Sequence, residues 1–237
     1  MMSGHACGSL RHACAALAVL ASIGAGTAAA QQISPAETLL FETEHLARVR
    51  VPATLVYAFR KESNVEPGFK DEVRLELAKV NGKLNATLHF LTGVHKQDIP
   101  ALEEAHGNPV LLGFLEHDIA EMKRLTGGST AYFRKRIRMA LAEGAQVSLQ
   151  PITYQGKTVQ AQAVRIQPYL NDPMHARFEK YLRKTYTFIL SEQVPGSLYQ
   201  LHSSLGKPET VRTGTQPADA PVIDETLTLI SVTPKQP

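Results

Sequence analysis

The hydrophobic period of the chain changes twice, from two to helical spacing and back, and no other feature narrows its fold so far. Over 51–60, Leu55, Tyr57 and Phe59 alternate with Thr54, Val56, Ala58 and Arg60. Val73, Leu75 and Leu77 then oppose Glu72, Arg74 and Glu76, and Leu84, Ala86, Leu88 and Phe90 follow the dipeptide Asn81-Gly82. Strict alternation reads as half-buried strand, and Asn-Gly between two such runs reads as a two-residue hairpin turn. The segment 51–91 is therefore expected to be a three-stranded meander.

Between 108 and 144 the period becomes helical. Asn108 is a good N-cap and Pro109 suits the first helical position, where its missing N–H goes unused. Leu111, Leu112, Leu115, Ile119 and Met122 make one apolar stripe, with Glu116, Asp118 and Glu121 on or beside the opposite side as a solvated acidic face. Gly127 can take the left-handed conformation that ends a helix, and Ser129 can cap the next. That second helix buries Tyr132, Phe133, Ile137, Ala140 and Leu141, carries Arg134, Lys135, Arg136 and Arg138, and stops at Gly144.

Strand patterning then returns. Val147, Leu149 and Ile152 lead to a turn at Gln155-Gly156, 159–166 runs back, and 171–173 turns. Residues 177–182 fit a short helix or the start of a strand. Tyr186, Phe188 and Leu190 form one arm of a hairpin through 194–196 and 198–205 the other, while Leu227, Leu229 and Ile230 mark a last strand. Residues 207–221, rich in Pro, Thr, Gly and Ala, read as a long exposed loop. Before the meander, Ser34, Pro35 and Glu37 open a helix over 33–47 with the signature of a capping box. The connection 93–107 is polar, with a helical turn expected over 100–104. Roughly eight antiparallel strands with inserted helices make an α+β domain. A curved antiparallel sheet, half-barrel or barrel, with the helix pair covering one face is the economical way to bury so much strand with so few long helices.

Arg11, an apolar run over 13–23 and Ala28-Ala29-Ala30 follow the order of a secretory signal peptide, which predicts cleavage near Ala30, a mature chain from Gln31 and a periplasmic or secreted location. The division is thus 1–30 as signal and 31–237 as one exported domain. Both cysteines, Cys7 and Cys14, fall in the signal, so a mature chain has no thiol for a disulfide, a zinc site or a nucleophile. Loss of Arg11 takes Lys plus Arg from 25 to 24 against 22 Asp plus Glu, a net of +2. That near-balance gives no electrostatic case for nucleic acid.

In the order of its elements the chain resembles the periplasmic lipoprotein carriers and their outer-membrane acceptors, the LolA/LolB-like group. The features that carry the resemblance are the signal ending at Ala30, the early helix from Ser34, the meander over 51–91, the helix pair over 108–144 and the later hairpins to Val232. Members of that group use a curved sheet closed by helices to hold acyl chains, and the resemblance implies the same here. No motif matches residue for residue, so no functional residue is carried over.

Candidate chemistry is sparse. His117 and Glu121 lie one helical turn apart, but an H-E-x-x-H pair is absent and no third ligand is indicated, so no metal is expected. His89, His95 and His106 are explained as surface or turn residues. Ser129 lacks the G-x-S-x-G context of a nucleophile elbow and is better read as a cap. With no catalytic triad and no cofactor motif, a non-enzymatic role is expected. The leading reading is a binding or carrier protein of the bacterial envelope that holds a lipid or acyl chain between sheet and helical lid. Its lining would come from Leu111, Leu115, Ile119, Phe133 and Ile137 of the helices and Tyr57, Phe59, Leu88 and Phe90 of the sheet, with Gly127-Gly128 and Gly144 as hinges. Arg134, Lys135 and Arg138 would meet an anionic membrane surface or an acidic envelope protein. The alternative is an envelope interaction protein with a filled core that works through its basic helix surface.

Overall fold

The elements begin and end where local chemistry dictates. The computed structural model describes residues 32–206 and 221–234, so the expected signal 1–30 and residues 207–220 of the expected loop lie outside the described residues. In chain order come α1 (Pro35–Glu37, continuing as a π-turn over Thr38–Glu42), β1 (Ala53–Ser63), β2 (Phe69–Val80), β3 (Lys83–Phe90), α2 (Pro109–Thr126) and α3 (Thr130–Glu143). After these follow β4 (Gln146–Tyr154), β5 (Lys157–Ile166), β6 (Thr185–Leu190), β7 (Leu198–Leu205) and β8 (Ile223–Pro234).

The capping box is real: Ser34 Oγ accepts from the Glu37 N–H at 3.1 Å and Glu37 returns the bond to the Ser34 N–H at 2.9 Å. The helix it opens is shorter than expected, ending at Glu42 rather than 47, because Thr43 is extended and its hydroxyl and N–H both bond back to Thr38 O. Asn108 caps α2 through the Val110 N–H, Gly127 ends it at φ +68°, and Ser129 caps α3 through the Tyr132 N–H. The stretch 177–182 is neither strand nor α-helix but falls in two 3-10 turns, His175–Arg177 and Glu179–Tyr181. No helical turn forms over 100–104. That connection instead bonds to the free edge of β3, with Ala86 and Leu102 exchanging both backbone hydrogen bonds.

The strands make one antiparallel sheet in the order β3-β2-β1-β8-β7-β6-β5-β4. Of the two closures expected it takes the open one, with β3 and β4 at its edges, and the C-terminal strand lies in the middle, between β1 and β7. Asn81 and Gly82, at φ +51° and +79°, join Val80 to Lys83 in the two-residue turn that their sequence demands. Gly82→Val should therefore lower stability by about 1 kcal/mol or more, read as a shift in the urea midpoint.

Both long helices pack on the sheet, α2 over β2, β3 and β7 and α3 beside β5 and α1. Gly113 lets α2 settle on β3: a Cβ there would come within 2.9 Å of Leu88 and Phe90. Leu112, placed in the apolar stripe by spacing, is 53% exposed, while Asp118, expected on a solvated face, is buried, as is His117 beside it. The correction has one cause. Packed against both the sheet and α3, α2 buries more of its circumference than one stripe. No helix among the described residues is long and apolar enough to cross a membrane.

Candidate functional site

All nine residues expected to line an apolar site are brought together. Tyr57, Phe59, Leu88, Phe90, Leu111, Leu115, Ile119, Phe133 and Ile137 are each buried and belong to one continuous cluster between sheet and helices. Their packing is close, as Gly113 on Leu88 and Phe90 shows, and Phe133 lies edge-on to Tyr169 and Phe178. Gly128, expected as a hinge, is also a point of close contact, since a Cβ there would lie 2.6 Å from two atoms of the Phe133 ring.

The cluster has an apolar opening at the N-terminal end of α2. A groove of about 300 Å³ runs between the α1 π-turn, the 102–106 segment and the first turn of α2. Phe41, Leu102 and Leu112 stand exposed around it, and Leu40 and Leu111, both fully buried, form its floor. Those two also belong to the core cluster, so the groove and the interior share part of a wall.

This end of α2 is held by a small set of polar contacts. Asn108 Nδ2 donates to Tyr57 Oη and to Gly196 O, both at 3.0 Å, tying the cap to β1 and to the β6–β7 turn. The Asn108 N–H donates to His45 Nδ1 at 3.2 Å, and His45 Nε2 donates to Leu39 O at 2.8 Å. With one ring nitrogen accepting and the other donating, the imidazole is neutral. Burial pushes the His45 pKa below its ordinary 6.5, against the opposing pull of the Leu39 carbonyl and the Glu44 charge. As pH falls, the unfolded chain then takes up this proton before the folded one. The stabilisation is complete above about 6.5 and is lost as pH drops through the window beneath it. Thermal midpoints measured between pH 7 and 5 should fall less steeply in His45→Gln than in the parent.

The C-terminal half of α2 is fastened differently, by buried charge. Lys61, Glu225, Ser203 and Tyr186 are successive cross-strand partners on β1, β8, β7 and β6, so their side chains form one line across the sheet. Asp118 of α2 meets this line with Lys184 at 2.5 Å, Tyr186 Oη at 2.5 Å and Ser203 Oγ at 2.8 Å. Lys61 is held by Glu66, Glu121 and Glu225 at 2.7, 2.9 and 3.0 Å. Burial alone would raise the Glu225 carboxyl, but His117, Lys184 and Lys61 hold it down at about 2. Arg124 and Lys61 likewise overcome burial at Glu121 and hold it at about 2. His117 Nδ1 bonds Gln97 at 2.7 Å, and among the described residues no group of three or more His, Cys, Asp or Glu side chains is arranged to hold a metal ion.

The sequence carries one signal for these residues. Lys61 falls in the apolar phase of β1 with Leu55, Tyr57 and Phe59, and Glu225 in the apolar phase of β8 with Leu227 and Leu229. A charge in that phase is either a break in the strand or a buried ion, and both strands continue past it. Of the basic residues on α3, Arg134, Lys135 and Arg138 are all exposed, and Arg134 also bonds Glu116 at 2.9 and 2.7 Å.

No family model and no curated protein matches this chain. A search of solved structures finds Mycobacterium tuberculosis lipoprotein LppX, 11% identical, with a TM-score of 0.28 over 74% of this chain and 84% of that one. At that TM-score the two do not superpose as whole folds, and nothing is transferred from one to the other.

Proposed function

We propose that the protein is an exported, non-enzymatic binding protein of the bacterial envelope that takes up a lipid or acyl chain through the groove at the N-terminal end of α2. The observation that carries this reading is the shared floor of groove and core, Leu40 and Leu111. About 300 Å³ is at the lower end of ligand pockets, so a long chain requires that floor to part and the sheet–helix layer to open. The His45 and Asn108 contacts are the ones that would have to yield. Export rests on the signal order ending in Ala28-Ala29-Ala30, and a periplasmic fraction should then contain a chain that begins at Gln31.

The test is titration of the purified protein with the uncharged fluorescent probe N-phenylnaphthylamine and its displacement by lipid. Leu112→Glu and Phe41→Glu put a charge on the rim at exposed positions, so they should weaken probe binding about tenfold or more and leave the thermal midpoint near that of the parent. Failure of the parent protein to bind the probe would overturn the carrier reading in favour of a filled-core protein that acts through its surface.

A further inference from the structure

A second opening lies between the C-terminal half of α3 and the end of β5, a cleft of about 550 Å³ whose walls include Arg136, Met139, Glu143, Arg165, Ile166 and Leu170. Arg136 is built into its wall. The side chain is 16% exposed, and its Nε lies 2.8 Å from Oδ2 of Asp172, a carboxylate with no exposure at all. The other carboxylate oxygen of Asp172 accepts from the Tyr132 hydroxyl and, at 2.7 Å, from the Met174 N–H. Asp172 is thus fixed by Tyr132, one turn before Arg136 on α3, and by the Met174 N–H of its own loop, and it lies beside the guanidinium as a counter-ion, with neither Nε nor Oδ2 in a well-formed hydrogen bond.

A guanidinium held this way keeps the donors of its Nη groups for something else. Nη1 reaches only the soft acceptor Met139 Sδ, at 4.0 Å. The Arg136–Asp172 pair is neutral in sum, but its positive end lies toward the cleft. Arg165 on β5 borders the same cleft and adds an exposed second cation. Glu143, in the same cleft, disfavours a ligand of high negative charge. Met139 and the exposed Leu170 supply apolar surface beside the cations.

We infer that this cleft binds an organic anion of low charge. A carboxylate or phosphate-ester head group would take the Nη donors of Arg136 with Arg165 as the second cation at the cleft, and a short aliphatic portion would lie along Met139 and Leu170. The site shares no wall with the groove at the N-terminal end of α2, and its assignment does not rest on the proposed function.

Octanoate and octyl phosphate, titrated into the purified protein by calorimetry with octyl glucoside as the uncharged control, test the assignment. Saturable binding of one or both anions is expected to persist in Leu112→Glu, where the groove is disabled, and in that background to weaken about fivefold to tenfold when Arg165→Gln is added. Arg136→Lys keeps a cation for Asp172 and loses the fork, so it should weaken binding at least as much while the thermal midpoint stays close to the parent's. Binding of octanoate alone identifies a carboxylate head group and of octyl phosphate alone a phosphate ester, and either supports the site. In the Leu112→Glu background, no saturable binding of either anion, equal binding of octyl glucoside, or full affinity after Arg165→Gln would overturn it. Binding that survives Arg165→Gln and is lost in Leu112→Glu belongs to the groove and overturns the cleft assignment while leaving the proposed function standing.

Discussion

Lys184→Met is expected to destabilise the protein by about 3–5 kcal/mol, because it leaves the fully buried Asp118 carboxylate without its counter-ion. Ser203 and Tyr186 still donate to that carboxylate, but hydroxyl dipoles do not replace a unit charge at 2.5 Å in a site closed to water. Asp118→Leu alone should cost a similar amount by stranding the Lys184 ammonium. The double variant should recover much of the loss, since a well-packed apolar pair often matches a buried ion pair. Arg134 and Glu116 provide the contrast. Their contact is 2.7 Å, yet both side chains are about half exposed, and Arg134→Ala should cost under about 1 kcal/mol. Urea unfolding of the four variants measures this. A loss near 1 kcal/mol for Lys184→Met would mean that water reaches Asp118 and that the polar line across the sheet is an open channel.

The second large effect centres on Phe133. Its ring is fully buried, edge-on to Tyr132, Tyr169 and Phe178 at centroid distances of 5.8, 5.7 and 6.0 Å. Phe133→Ala should cost about 3–5 kcal/mol through lost burial and the cavity left among rings that cannot all collapse inward. Gly128 makes the argument specific. Its φ lies outside the left-handed region, so alanine fits the backbone and meets only the Phe133 ring, at 2.6 Å, and Thr126 Oγ1, at 3.2 Å. Gly128→Ala should therefore cost about 1–3 kcal/mol in the parent and much less in Phe133→Ala. Additive losses in that double-mutant cycle would mean that the helix junction moves freely, as a hinge would, rather than resting on the ring.

The elements of this protein were written in short stretches of sequence. Asn108 and Pro109 start α2, Gly127 ends it, Ser129 starts α3, and Asn81-Gly82 turns β2 into β3, because each choice depends on one residue's φ, one missing N–H or one side-chain bond a few residues away. The inward faces of β1, β2 and β3 were equally legible, and the nine expected lining residues share one cluster, although Leu112, Leu149 and Ile230 proved exposed. What period cannot carry is the identity of the partner across a face. That β8 inserts between β1 and β7, pairing residues more than a hundred positions apart, that the sheet stays open, and that 96–105 covers the β3 edge were decided by tertiary packing. The groove drew Leu40, Phe41 and Leu102 from segments with no shared pattern. Asp118 and Lys61 illustrate the limit most clearly. A charged residue in a helix or strand is assigned to water by default, since burying it alone is prohibitive. Only the arrival of Lys184, Glu225 and their neighbours from distant strands makes the interior the more stable place for both.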